Sequence, residues 1–461
     1  MRLWNGWGNE NSDLGMELNS GLKMLLGALV GPSISLPEAT LAEVVAKVPA
    51  SRLATHPLIS QDAEARVRHA RGQSLPDWLA MHSGDVDTFP DGVALPESSE
   101  QVRELLQFAA DNNIDVIPYG GGTSVVGHIN PNVSERPVLT ISMAKMNKLI
   151  SLDRESQLAR FGAGTPGPEI EAQLKAEGFT LGHFPQSWEL STVGGWVASR
   201  SSGQQSLHYG RIEALFAGGS METLKGTMDI PTIPASSAGP DIREMVLGSE
   251  GRMGIITEVV VRVTPVPQAE QFQVAFFPSW DAGLTAAREL VQQRVALSMV
   301  RLSNPLETIS LLHMGAGENT AGVAALEASL AEQGIGSGKV MMTFAVTGSQ
   351  KQCDFNSIAT LDICANHGAV ADQSGLGDNW SHGRFRAPYV RDPLGSAGYA
   401  VDTMETAVDW SRVTESMEKI EQAIRTGLED EGEQVHAYTH LSHVYGQGSS
   451  IYTTYVYRFG D

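Results

Sequence analysis

The chain has 461 residues, 42% of them hydrophobic, and a formal net charge of −21, which is apolar material for about two or three globular domains. So acidic a chain lacks the basic face that a nucleic-acid backbone or an anionic membrane requires, and neither is expected as a partner. Cys353 and Cys364 fit no metal spacing and read as ordinary thiols of a reducing compartment.

The start of the chain, polar and acidic, lacks the basic and apolar regions of a signal peptide. The apolar run Leu22–Val30 is far short of the ~20 residues of a membrane span, so no transmembrane segment and a cytoplasmic location are expected. Residues 1–80 carry short helical patterns, at 41–48 and 62–69, and read as a helical lead-in without evident chemistry. Val93–Leu95 is a short strand that Pro96 ends. Ser98 or Ser99 then caps a helix whose apolar positions Val102, Leu105, Leu106 and Ala109 recur at helical spacing, and 114–117 is the next strand.

That strand delivers Pro118-Tyr-Gly-Gly-Gly-Thr-Ser-Val-Val-Gly127 at a strand C-terminus, where open α/β folds bind ligands. Gly120, Gly121 and Gly122 let the backbone curl its N–H groups around an anion, and the Thr123 and Ser124 hydroxyls add donors, so the loop suits a phosphate without a local cation. It is neither a P-loop nor a dinucleotide fingerprint, since no Lys follows and no helix opens after it. A plain turn or hairpin is the competing reading of the loop alone.

Further strands are expected at 138–141 and 158–162, and a helix at 166–176 with Gly178 just past its end. Residues 195–202 are rich in glycine and serine, and a β-bulge or tight turn is the bland reading of Gly194 and Gly195. The β-branched run 255–263 ends at Pro265 and Pro267, which places a boundary near residue 267. Beyond it, 272–276, 299–302 and 341–346 look like strands and 285–295 and 413–424 like helices, the latter with a core stripe of Val413, Met417, Ile420 and Ile424. The fold class is α+β, divided as 1–80, 81–267 and 268–461.

Four segments occur in an order and spacing that carry a resemblance: 89–96, the glycine loop 118–127, 186–196 (Gln-Ser-Trp-Glu-Leu-Ser-Thr-Val-Gly-Gly-Trp) and 247–257 (Leu-Gly-Ser-Glu-Gly-Arg-Met-Gly-Ile-Ile-Thr). From residue 65 onward the chain resembles the vanillyl-alcohol oxidase and p-cresol methylhydroxylase (PCMH) superfamily. Its 118–127, 191–203 and 237–241 segments look most like alkylglycerone-phosphate synthases and their bacterial FAD-linked relatives. The resemblance implies a PCMH-type two-subdomain FAD-binding domain followed by an α+β cap with an antiparallel sheet, and noncovalent FAD. It places Pro118, Tyr119, Gly120, Gly121, Gly122, Thr123 and Ser124 around the pyrophosphate. Gln186, Ser187, Ser191, Thr192, Gly194, Gly195 and Ser199 would run beside the diphosphate and the flavin ring. Glu250, Gly251, Gly254, Ile255, Ile256 and Thr257 would lie by the adenosine, with an ordinary turn carboxylate as the alternative for Glu250.

In the cap, the resemblance assigns Arg391 to an anionic substrate and Tyr452 to acid or base work beside the flavin. A guanidinium suits a carboxylate or phosphate because its planar fork donates two parallel hydrogen bonds. The bland reading of Tyr452 is a half-buried strand tyrosine. The chain ends at Asp461 soon after Tyr452, and the family's C-terminal histidine run has no counterpart, so a partial sequence is expected. His436, His440 and His443 are close in sequence, but on a strand His443 points away from the other two, which favours pocket or structural roles over a zinc site. Three functions are weighed. The first is synthase-like chemistry at flavin N5, exchanging an acyl group for a fatty alcohol on a lipid phosphate without net oxidation. The second is oxidation of a 2-hydroxy acid, although Gln447 and Tyr452 replace an acidic and a histidine position of the metal-binding segment in D-lactate dehydrogenases. The third is an inactive flavin-binding fragment. Oligomeric state is left open, a homodimer included.

Overall fold

The computed structural model describes residues 1–10, 26–316 and 319–459; the first part of the apolar run at 22–30, and Asp461, lie outside them. The chain divides into two compact units. The first is built on Pro37–Gly203 and Tyr209–Val266 with the N-terminal residues; the second is built on Pro267–Asp461 with Gln204–His208 and the segment ahead of Pro37.

The first unit contains two principal sheets. Strands β1 (Ile59–Ser60), β2 (Gly92–Ala94), β3 (Asp115–Tyr119) and β4 (Val138–Ser142) form one, in the order β1-β2-β4-β3. Within it β2 and β3 run parallel to β4, and β1 is antiparallel. Helix Ser99–Asp111 makes the crossover: the Ser98 side chain accepts from the Gln101 N–H, and Val102, Leu105, Leu106 and Ala109 are buried. Pro118 sits on edge strand β3, where its missing N–H costs no central ladder bond.

The second sheet takes β5 (Leu149–Asp153), β6 (Leu158–Gly162), β8 (Phe216–Thr223), β9 (Gly226–Ile230) and β10 (Ile255–Arg262) in the order β5-β6-β10-β8-β9. β7 (Phe179–Thr180) pairs with β11 (Thr264–Pro265) in a short separate ladder. Phe161, Ile170, Leu174, Phe216 and Val259 form its core. Two principal sheets in one unit are the two-subdomain arrangement that the resemblance implies.

The second unit is one seven-stranded antiparallel sheet of β12 (Ala269–Phe277), β13 (Met299–Ser303), β14 (Val340–Gly348), β15 (Val370–Ala371), β16 (Tyr399–Asp409), β17 (His436–Leu441) and β18 (Gly448–Arg458). Their order is β15-β12-β14-β13-β17-β18-β16. One face packs Leu302, Met342, Phe344, Leu441 and Ile451 against Ala286, Leu290, Cys353, Cys364, Val413 and Met417 from the covering helices. The other sets Val274, Phe276 and Met341 against Leu312, Val323 and Leu330. The stripe at 413–424 is core, as expected. Burial pushes the Cys364 thiol up to about 12, which leaves it inert.

The bland alternative for Gly194 and Gly195 does not hold and one helix boundary is corrected. Gly194 and Gly195 lie in helix Val193–Ser199, not in a bulge or tight turn, because the Thr192 side chain caps that helix by accepting from the Gly195 N–H. The helix expected at 285–295 spans Trp280–Gln292, because the Ser279 side chain caps it a turn and a half earlier. No described helix is long and apolar enough to cross a membrane.

Candidate functional site

In the first unit, three of the segments expected to hold the cofactor touch one another. A Cβ on Gly120 would lie 2.6 Å from Thr192 Oγ1, and one on Gly121 would overlap the Leu190 carbonyl oxygen. The glycine loop therefore packs directly on the 190–192 segment. Gly122 has φ +64, a left-handed conformation that glycine adopts without strain. On the other side, a Cβ on Gly251 would lie 2.9 Å from Pro118 Cγ. Gly248 N donates to Val197 O at 3.0 Å and Glu250 N to Ala198 O at 2.9 Å, which ties the 248–251 turn to the helix that follows Thr192. Glu250 itself holds φ +50, a conformation costly for a residue with a side chain and one that concentrates at functional sites.

Several of the expected hydroxyls serve the framework. Ser191 Oγ donates to Ser187 O at 2.8 Å and accepts from Trp196 Nε1 at 2.7 Å. Ser199 Oγ donates to Gly195 O at 2.9 Å. Thr257 Oγ1 donates to Ser220 O at 3.2 Å and the Thr257 carbonyl accepts from Ala163 N. Ile255 is buried, and Ile255 and Ile256 pair with Glu222 and Met221 along β10. A Cβ on Gly254 would crowd Glu222 O. Gln186 and Ser187 lie in the turn at 186–190, and Ser124 O accepts from Gln73 N at 2.6 Å, while Thr123 stands beside it in the loop. The hydroxyls so occupied shape the segments; the backbone of the glycine loop is what they present.

A cavity of about 490 Å³ is lined by Tyr119, Gly120, Gly121, Leu190, Thr192 and Arg2, among others. It lies where β3 and β4 end. The Arg2 guanidinium donates to Gly122 O at 3.4 Å and brings the positive charge that the loop sequence lacks, so the N-terminal stretch has chemistry that its sequence did not disclose. Curled backbone amides with a guanidinium beside them are the donor set a diphosphate requires, and the residues present fit FAD.

In the second unit, Tyr452 on β18 stands opposite His440 on β17 and opposite Glu405 on β16. The His440 and Tyr452 rings stack with centroids 4.8 Å apart and planes at 28°. Burial raises the Tyr452 phenol above its ordinary range; a hydrogen bond with Thr403 and the charges of Arg301 and Arg391 oppose that, while Glu405 adds to it. Arg391 Nη2 lies 3.4 Å from Asp402 Oδ1. Arg391 and Tyr452, the two residues assigned to substrate chemistry, are thus within electrostatic reach of each other.

The sequence did not single out Arg301 and Glu307, although a lone arginine in the apolar strand 299–302 was the available signal. Arg301 Nη2 donates to Glu307 Oε1 at 2.8 Å, and His440 Nδ1 lies 2.8 Å from the same oxygen. Burial pushes the Glu307 carboxyl up, but Arg301 and His440 outweigh it and hold it down from 4.5 to about 2. Burial, with Arg301 beside it, lowers His440, so its imidazole is neutral. His436 lies 3.1 Å from Ser310 Oγ, and burial, reinforced by Arg425, takes it from 6.5 to about 4. These are hydrogen-bonded core histidines.

Both groups make the fold acid-sensitive, in different windows. An unfolded chain protonates His436 first, so that its stabilisation is present above pH 6.5 and is lost as pH falls from there to about 4. The Glu307 carboxylate stabilises fully above pH 4.5, and its share is lost as pH falls through about 2. Each amounts to about 3 kcal/mol at the ordinary conversion of pH units to energy. Urea unfolding of the His436→Gln variant should therefore show a flatter loss of stability between pH 6.5 and 4 than the parent. An unchanged slope there would assign the sensitivity to other groups.

Residues 90–228 match the family described as FAD binding domain, and residues 266–458 match FAD linked oxidases, C-terminal domain. Over these residues the chain carries an FAD binding domain followed by the C-terminal domain of FAD linked oxidases. In sequence it is similar to the alkyldihydroxyacetonephosphate synthase of Dictyostelium discoideum, 33% identical over 86% of this chain and 65% of that one. It thus spans slightly under two-thirds of that relative's length. A solved alkyldihydroxyacetonephosphate synthase superposes with a TM-score of 0.89 at 28% identity, covering 100% of this chain and 89% of the other. p-Cresol methylhydroxylase shares the fold, with a TM-score of 0.64 at 15% identity over 92% of this chain and 85% of its own.

Proposed function

We propose that this flavoenzyme is a transferase of the alkylglycerone-phosphate synthase kind, acting on a small substrate with a phosphate or carboxylate head and an acyl or alkyl chain. The observation that carries the reading is the environment of Tyr452. Its ring is half-buried in the sheet and stacked on His440, its phenol is protonated at neutral pH and raised further by burial, and the Arg391 charge opposes that rise. A protonated phenol held in one orientation can give a proton to a leaving group and take one back, a role worth about 10²–10⁴-fold in rate. Arg391 would orient the anionic head through its fork of donors. Arg2 and the backbone of Gly120–Gly122 would hold the FAD diphosphate, and bound FAD would supply the reactive flavin ring.

The test begins with the visible spectrum of protein loaded with FAD and freed of excess. Flavin should be retained and released by acid. Under anaerobic conditions 2-hydroxy acids should leave the flavin oxidised, whereas an acylated glycerone phosphate and a fatty alcohol should exchange. Bleaching by a 2-hydroxy acid without exchange would replace this reading with a dehydrogenase.

A further inference from the structure

On the seven-stranded sheet of the second unit, the face turned away from the Leu302, Leu441 and Ile451 core carries an unbroken polar row. Ser303 stands opposite His440, His440 opposite Tyr452, and Tyr452 opposite Glu405, so four adjacent strands contribute one residue each. Arg301 lies on that same face two residues before Ser303, and Tyr438 two residues before His440. Glu307 reaches the row from the first turn of helix Pro305–Ala316, with its own N–H held by Asn304 Oδ1 at 2.8 Å.

The Glu307 side chain is only 2% exposed and that of Arg301 19%. Taking two such charges out of water is expensive, and an apolar pair of the same volume would commonly stabilise a core as well or better. Stability therefore gives no reason for this pair, which shares a single carboxylate oxygen with His440, the ring stacked on Tyr452.

We infer that Arg301 and Glu307 are positioning residues for Tyr452: through His440 they fix the plane of its ring, and together they balance the charge its hydroxyl faces. His440 Nδ1 lies 2.8 Å from Glu307 Oε1 and 3.0 Å from Arg301 Nη2, so both members of the pair hold the imidazole in one ring orientation, as neighbouring groups do for imidazoles in metal and hydrolase sites. Stacking passes that orientation to the phenol. The remaining charged or titratable groups around the hydroxyl are Glu405 from β16, Tyr438 from β17 and Arg391. Arg301 and Arg391 favour the phenolate and Glu405 opposes it; Glu307 offsets Arg301.

The inference rests on the assignment of Tyr452 made above, and its test is independent of turnover. A fluorinated tyrosine placed at 452 in the FAD-loaded protein reports its ionisation by fluorine NMR as pH is raised. Glu307→Gln leaves the Arg301 cation unbalanced and should make the phenol about tenfold more acidic, one pH unit lower. Arg301→Met should move it the other way by a similar factor, and Arg301→Lys, which keeps the charge, should return it most of the way. Opposite signs from two variants that break one ion pair are not the signature of generic loosening. Shifts of the same sign, or shifts under about 0.2 unit in both, would overturn the inference; if Arg301→Met fails to fold, the sign of Glu307→Gln decides alone. A Tyr452→Phe protein that keeps full exchange activity would instead remove the catalytic assignment while leaving the shifts as measured.

Discussion

Gly121→Ala is expected to cost the protein its flavin. The added methyl would overlap the Leu190 carbonyl oxygen, and since both partners are backbone, neither a rotamer change nor a flexible side chain can relieve it. The glycine loop and the 190–192 segment must separate, and the cavity they share with Arg2 loses its shape. Overpacking of this kind costs about 1–3 kcal/mol in a well-packed interior. With the loop displaced, the backbone N–H groups no longer converge, and FAD affinity should fall at least ~100-fold, about 3 kcal/mol. Fluorescence titration with FAD, beside thermal unfolding of the flavin-free protein, checks both numbers. Gly195→Ala is the control. Its Cβ would meet only Thr192 Oγ1, at 3.3 Å, so unfolding should be little changed. Parental FAD affinity in Gly121→Ala would mean that the diphosphate is held elsewhere.

The second large effect is expected at Arg391. Arg391→Met keeps the length of the stem and removes the guanidinium fork, so a bound anion loses its two parallel donors while the fold loses one long contact to Asp402, itself a partly exposed partner. Removing one member of a hydrogen-bonded charge pair costs about 2–5 kcal/mol in binding, which corresponds to a fall in kcat/KM of roughly 30- to several thousand-fold. FAD should stay bound, because Arg2 and the backbone of Gly120–Gly122, proposed above to hold its diphosphate, are untouched by the change. Loss of flavin on this change would sink the assignment of Arg391 to substrate. Arg391→Lys should recover part of the activity, as a point charge replaces a fork.

Much of the architecture was legible because local rules determine it. Sequence pattern located β6 and β10 nearly to the residue, and it placed a helix after Ser98 or Ser99, of which Ser98 is the cap. The segments that meet in the first unit were legible as motifs because glycine is required where backbones meet, as at Gly120 and Gly121. What could not be read depends on register and burial. Nothing in the local sequence says that Glu307 ends up beside Arg301 and His440, since those contacts join residues far apart in the chain. A charged residue in a strand reads as a solvated face until the covering helix is placed. Arg2 was overlooked for a related reason: its role comes from where the first residues fold back, and no periodicity records that. The helix at Gly194 and Gly195 was obscured because glycine disfavours helices by local propensity, and packing against Ala163 overrides it.

The polar row that contains Tyr452 also bears on how this protein acquires activity. Its members come from four strands, and of their three pairings only that of β17 with β18 joins strands consecutive in the chain; joining β13 to β17 closes a loop from Ser303 to His440, and joining β16 to β18 closes another. Contacts of such long sequence separation form late, because loop entropy must be overcome before they stabilise anything. The contact of the glycine loop with the 190–192 segment closes a shorter stretch of chain than the pairing of Ser303 with His440, and it can form while that pairing is still missing. Refolding followed by flavin fluorescence and by turnover should then show cofactor capture preceding catalysis, with the last strand pairing setting the pace of the second.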